Sequence, residues 1–228
     1  MSLAKEFDIK KNDIISFIGS GGKTTTIYKL ARELIFSGSV LITTTTKMKV
    51  PENLLENEIF IESYDELKDI NVNNKIVIAG RKTVENKFNA LTDEDFIHCL
   101  KIFDYILIEA DGSKRLPYKA WREFEPVIRP ETTKTIGVIP MKYFGEILRA
   151  ELIFNEEKFK ENFGFKEELD FETIKNIIFH EEGIFKNAVG EKVIYFNQYS
   201  FEKNEITQDY VKKLIDYDDK INYIIEKI

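Results

Sequence analysis

The chain is poor in the residues that build extracellular, fibrous or metal-centred proteins. It has one cysteine, Cys99, five prolines, eleven glycines and two histidines in 228 residues. A lone thiol can neither close an internal disulfide nor supply a multi-thiolate metal site, which points to a reducing, cytoplasmic setting. Cys99, next to Leu100 in a helical pattern, reads as a small core residue. His98 and His180 have no ligand-spaced partners and read as surface or packed side chains, and no Ser-His-Asp or Cys-His arrangement is present. The few glycines and prolines exclude collagen-like and low-complexity readings. No apolar run approaches the about 20 residues that cross a bilayer, and Met1 to Lys11 lacks the apolar core of a signal peptide.

What is present suits a globular chain: 43% hydrophobic, 13% aromatic and 32% charged residues. The length fits one α/β domain with an insertion or two small domains, and the chain is read as a single domain over residues 1–228. The net charge of −7 argues against a nucleic-acid partner. Its distribution is uneven. Between Lys10 and Val50 lie Lys10, Lys11, Lys23, Lys29, Arg32, Lys47 and Lys49 against only Asp13 and Glu33. Between Gly112 and Arg129 lie Lys114, Arg115, Lys119, Arg122 and Arg129 against Glu123 and Glu125. Glu151 to Glu182 is strongly acidic. The basic stretches are where an anionic ligand is expected.

Asp13 to Ile18 is a short apolar run ending in Gly19-Ser20-Gly21-Gly22, a buried strand entering a glycine turn. Apolar residues at Ile27, Leu30, Ala31, Leu34 and Ile35 then predict a helix over Lys23 to Phe36, stopped by Ser37-Gly38. Val40 to Thr46, nearly all β-branched, predicts a second strand and completes a βαβ unit. Further strands are predicted at Glu58–Ile61, Lys75–Ala79, Asp104–Ile108, Thr135–Ile139 and Lys192–Phe196, with a helix over Asp93–Ile102. This alternation predicts a doubly wound, mostly parallel sheet. Helical periodicity at Glu156–Phe163 and Phe171–Phe179 predicts an acidic helical insertion or cap over 141–187, and Thr207–Ile215 and Lys220–Ile228 read as closing helices.

The strongest chemical signal is Gly19-Ser20-Gly21-Gly22-Lys23-Thr24-Thr25, between a strand and a helix. Glycines allow backbone N–H groups to curl round a phosphate at the positive helix end. Lys23 would neutralise β/γ-phosphates, and the Thr24 hydroxyl would hold Mg²⁺. Phe17 occupies the place of the first glycine of GxxxxGK[ST], so the loop is a shortened form, like the GxxGKTT loop of Mur-type amide ligases. Ile18 stands where dimeric ATPases with a related loop carry a signature lysine.

Glu109 and Asp111, at the end of a buried strand, are placed to act as the Mg²⁺-water ligands. Lys114 and Arg115 follow at once and could balance charge developing on a γ-phosphoryl group; Trp121 could stack on a ring. Thr43 to Thr46 with Lys47 end the second strand on the same sheet edge, which makes Thr45 and Lys47 candidate ligand contacts. Asn197, with Gln198, ends the last strand, where some nucleotide-binding folds read a base.

These blocks together resemble a known family. ISFIGSGGKTTTIYKLARELI, VLITTTTKM, ILIEADGSKRLPYKAWREFEPVI, IGVIP, FHEEGIFKNA and VIYFNQ are similar to the YqeC-like accessory proteins of selenium-dependent molybdenum hydroxylases, over Ile14 to Gln198. The resemblance implies a P-loop NTPase-like fold and a part in maturing such hydroxylases. It implies Mg²⁺ and ATP or GTP as ligands, with a molybdopterin-type or selenium-containing small molecule and the hydroxylase or its maturation factors as partners. Where a family-like ending would read Asn-Lys-x-Asp, this chain has Asn197-Gln198-Tyr199-Ser200.

The residues support three functions. The first is a Mg²⁺-dependent nucleoside-triphosphate-binding protein and slow NTPase, with Lys23, Glu109, Asp111, Lys114 and Arg115 as the catalytic set. The second is an ATP-dependent amide ligase or kinase. The third is a non-catalytic carrier of a phosphorylated pterin or nucleotide.

Overall fold

The computed structural model describes residues 2–68 and 70–226. Eight parallel strands form its main sheet: β1 (Ile14–Gly19), β2 (Val40–Thr44), β3 (Glu58–Ile61), β4 (Ile76–Ala79), β5 (Tyr105–Glu109), β6 (Lys134–Pro140), β7 (Glu191–Asn197) and β8 (Asn222–Ile225). Their order is β8-β7-β6-β1-β5-β2-β4-β3. The helices are α1 (Leu3–Glu6), α2 (Lys23–Leu34), α3 (Asp93–Cys99), α4 (Glu156–Phe163), α5 (Phe171–Phe179) and α6 (Asn204–Tyr217). The architecture is the doubly wound α/β arrangement that the strand–helix alternation predicts.

The continuous apolar runs in the strands have a simple cause: both faces of this sheet are covered. One face of the central strands, presenting Ile15, Phe17, Val40, Ile42, Leu107, Ile136, Val138 and Tyr195, packs with Ile27, Leu30 and Leu34 of α2. The opposite face is divided between two covers. Leu41, Ile106 and Ile108 meet Phe96 and Cys99 of α3. Ile139, Ile194 and Phe196 share a core with Phe159 and Phe163 of α4, Ile174 and Ile178 of α5, and Leu214 of α6. Cys99 is thus a buried core residue, as its neighbours suggest.

The acidic segment is therefore built into the main fold. Its apolar residues fill one half of a sheet face, while Glu157, Glu161, Glu167, Glu168 and Glu172 point outward. Tyr118 and Trp121, from the stretch after β5, belong to the same core, and the ring of Trp121 meets the edge of Phe163 at 6.3 Å between centroids. A short parallel pairing of Tyr118–Lys119 with Ile153–Phe154 fixes that stretch in place.

Four sequence expectations need correction. Lys220–Ile228 is not a helix: Asn222–Ile225 forms β8 alongside β7, and residues 227 and 228 lie outside the described residues. The run Ile221-Asn222-Tyr223-Ile224-Ile225 is too short and β-branched to continue as a helix after the Asp218-Asp219 turn, and β7 supplies an open edge. The strand from Val40 ends at Thr44, and residues 47–49 turn into a small antiparallel sheet of Lys47–Lys49, Lys87–Asn89 and Arg81–Lys82, which buries Met48 and Phe88. The helices after Lys23 and Asp93 stop at Leu34 and Cys99. No described helix is long and apolar enough to cross a membrane.

The packing of α4 on the stretch after β5 generates a prediction. Phe163 is fully buried, so Phe163→Ala should cost about 3–5 kcal/mol in urea unfolding and shift the emission of Trp121 in the still-folded protein. A loss under about 1 kcal/mol with unchanged emission would mean that the acidic segment is separable from the core.

Candidate functional site

The sheet order places three loops at one edge. β1 lies between β5 and β6, and β5 lies between β1 and β2, so the glycine loop, the Thr44–Thr46 turn and the Glu109-Ala110-Asp111-Gly112 turn emerge side by side. Register brings Glu109 level with Phe17 on one side and Thr44 on the other. Phe17, in place of the expected first glycine, is wholly buried in the strand, so the loop begins only at Gly19.

Close approach dictates the glycines of this loop. Gly19 has φ +97°, and a Cβ there would sit 2.4 Å from the Val138 carbonyl oxygen. Gly22 has φ +122°, and its Cβ would sit 2.4 Å from Nδ2 of Asn197. The loop is further held by its neighbours: Ser20 Oγ donates to Pro117 O at 2.7 Å, and Asn197 Nδ2 and Gln198 Nε2 both donate to Gly21 O, at 2.9 and 2.7 Å. Among the described residues no acceptor meets the N–H groups of Gly21 to Thr25, whereas Thr26 N donates to Gly22 O. Consecutive free amides at a helix N-terminus form an anion cradle.

Lys23 lies beneath this cradle, only 4% exposed. Its Nζ donates to Gly19 O at 2.6 Å and pairs with Asp111 Oδ1 at 3.0 Å. Burial pushes the ammonium towards losing its proton, but Asp111 and Glu109 outweigh this and raise its pKa. Asp111 is fully buried, and its Oδ2 accepts from the Gly19 amide at 3.0 Å, the Trp121 indole at 2.6 Å and Lys119 Nζ at 3.3 Å. Burial alone would raise the Asp111 pKa, but Lys23 and Lys119 together bring it below its ordinary value. Lys119, also buried, donates to Gly112 O at 2.6 Å and Glu125 Oε2 at 3.0 Å.

Glu109 stands apart from that network. Its Oε2 accepts from the Thr24 hydroxyl at 2.6 Å, and its backbone oxygen receives Thr44 Oγ1 at 2.8 Å and Thr45 N at 3.1 Å. Burial raises its pKa despite Lys23 and Thr24. A hydroxyl and a carboxylate converge here beside the cradle. These hard oxygen donors suit Mg²⁺, which takes one or two protein ligands and completes its shell with water and phosphate. No group of three or more His, Cys, Asp or Glu suited to a metal occurs among the described residues.

The other predicted residues divide by position. Thr25, Lys47, Lys114 and Arg115 are exposed. Lys114 and Arg115 have φ +49° and +65°, a strained pair at the tip after Gly112, and Lys114 Nζ lies 5.3 Å from the centre of the Phe154 ring. Thr45 Oγ1 donates to Val127 O at 2.6 Å, tying the Thr turn to the stretch after β5. Asn197 is 5% exposed and grips the loop backbone. Trp121 is 1% exposed with its indole spent on Asp111, so it is not available to stack on a ligand ring. Sequence reasoning missed the parts that Lys119, Glu125 and Gln198 play. The alternation Tyr118-Lys119-Ala120-Trp121, a few residues beyond the strand-end acid, was the available signal for Lys119 and Trp121.

A parallel α/β sheet with a Gly-Gly-Lys-Thr loop opening a helix, and an acid at the end of the adjoining strand, defines a P-loop NTPase-like fold. The chain belongs to the YqeC family: the family model described as YqeC protein matches residues 15–157. The YqeC protein of Escherichia coli (strain K12) is 31% identical over 208 residues, covering 87% of this chain and 81% of that protein. No solved structure matches the chain.

Two outcomes test this geometry. Gly19→Ala should lose stability by about 1–3 kcal/mol from backbone strain alone, read by chemical denaturation; an unchanged midpoint would contradict the close approach to Val138. Because Glu109 holds its proton more tightly folded than unfolded, its ionisation subtracts from stability as pH rises past its ordinary 4.5. Glu109→Gln keeps an acceptor for Thr24 without the charge. Melting curves without Mg²⁺ from about pH 4 to about pH 7 should show the variant losing less stability than the wild type. An equal or greater loss would refute the assignment.

Proposed function

We propose that this protein binds a nucleoside triphosphate, ATP or GTP, together with Mg²⁺, and hydrolyses it slowly. The observation that carries the reading is the contact of Thr24 Oγ1 with Glu109 Oε2 beside the free amides of residues 21–25. The amides and Lys23 hold the β- and γ-phosphates, and Thr24 and Glu109 hold the metal. Mg²⁺ when bound neutralises phosphate charge and orients the terminal phosphoryl group. Asp111 Oδ2 takes three donors inside the protein and its Oδ1 is held in the ion pair with Lys23, so in this reading it positions Lys23 and Gly19 rather than ligating the metal. Lys114 and Arg115, exposed and without a carboxylate partner among the described residues, balance charge at the outer end of the phosphates.

The wider role belongs to the same proposal: assisting maturation of a selenium-dependent molybdenum hydroxylase, with a molybdopterin-type or selenium-containing molecule as second ligand. Its support is the family membership and the exposed acids of α4 and α5, a surface suited to a basic protein partner.

A thermal-shift series with ATP, GTP and other nucleotides, with and without Mg²⁺, tests the reading. A nucleotide present at 100 times its Kd should stabilise the protein by about 2.7 kcal/mol. Lys23→Ala should abolish that shift, and Thr24→Ala, which leaves the buried ion pair intact, should remove its Mg²⁺ dependence. Equal binding by wild type and Lys23→Ala takes the loop out of the mechanism.

A further inference from the structure

Lys23 as it stands cannot serve a phosphate. Its ammonium donates to Gly19 O within the loop and is held in an ion pair with Asp111 Oδ1 at 3.0 Å, and the side chain is 4% exposed. A phosphate entering the cradle must draw the ammonium away from Asp111. Asp111 would then be a fully buried carboxylate stripped of its nearest counter-charge, a state proteins avoid. The structure holds a second cation in reserve. Lys119 Nζ lies 3.3 Å from Asp111 Oδ2, long for a charge-assisted contact, and is anchored by Gly112 O and Glu125 Oε2 so that it cannot reach solvent.

We propose that Asp111 is the resting-state latch of Lys23, and that Lys119 is the replacement cation that lets the latch open when phosphate binds. This rests on the phosphate-binding reading of the loop. Lys119 is a positioning residue: it touches no ligand, and it acts by setting how strongly Asp111 competes with phosphate for Lys23. Without Lys119, Asp111 holds Lys23 as its sole cation and the loop pays more to release it. With a neutral side chain at position 111 no latch exists, and Lys119 no longer matters to binding. Trp121 reports the event, because its indole N–H rests on the carboxylate that Lys23 leaves.

The proposal is tested with the full chain in two arms. In the first, without ligand, acylation of Lys23 by acetic anhydride is followed by peptide mass spectrometry in wild type, Asp111→Asn and Lys119→Gln, each verified as folded by its melting curve. Asp111→Asn should free the amine and speed its modification several-fold, and Lys119→Gln should not. In the second, Mg²⁺-ATP, Mg²⁺-GTP and inorganic pyrophosphate are titrated against Trp121 emission. Lys119→Gln should weaken binding about tenfold or more, and Asp111→Asn/Lys119→Gln should recover it. Pyrophosphate affinity unchanged in Lys119→Gln, or no recovery in the double variant, overturns the proposal. Equal modification of Lys23 in wild type and Asp111→Asn overturns it as well. A wild-type chain that binds neither nucleotide nor pyrophosphate overturns the phosphate-binding reading instead, while the first arm still decides whether the latch exists.

Discussion

The ion pair between Lys23 and Asp111 is the constraint around which the functional edge is arranged. Both groups are nearly inaccessible, and a buried charge is tolerated only when its remaining hydrogen-bonding capacity is met. That requirement recruits the Gly19 amide, the Trp121 indole, Lys119 and, through Lys119, Glu125. One carboxylate thereby joins the end of β1, the end of β5 and the stretch that leads to β6. The local conformation of three otherwise separate segments follows from keeping that single carboxylate paired with cations and hydrogen-bonded through Oδ2.

The sheet order explains why the charges collect where they do. An overall charge of −7 would favour repelling phosphates. Yet the strands that bear the glycine loop and the acidic turn are neighbours at the centre of the sheet, and the stretch after β5 carries Lys114, Arg115 and Arg122, basic residues with no acidic partner among the described residues. The excess acid lies on the outer surfaces of α4 and α5, over the β6–β7 half of one face. Parallel topology sends all strand ends to the same edge, so position in the order sets which loops meet.

Much of this was legible in the residues. The strand runs were long enough and apolar enough to be recognised, and α4 and α5 have the limits that their periodicity predicts. The loop announces itself because glycine at close approaches cannot be replaced. What was not legible depended on contacts across the chain. Lys119 looks like one member of a solvated basic cluster, and only the mini-strand pairing with Phe154 turns it inward. Trp121 looks like a ligand platform for the same reason. At the C-terminus, Lys220 to Ile225 has apolar residues compatible with helix or strand, and the open edge of β7 decides the matter.

The grip of Asn197 and Gln198 on the Gly21 carbonyl has a consequence for modularity. These two side chains stand at the end of β7, beyond residue 157, where the match to the family model ends. The most recognisable portion of the chain is consequently not a self-sufficient unit. Cut there, it would keep the glycine loop and its acids but lose a restraint on the loop backbone, the strand that flanks β6, and the helices that cover Trp121. Part of what braces the signature residues is thus encoded beyond the segment that carries them.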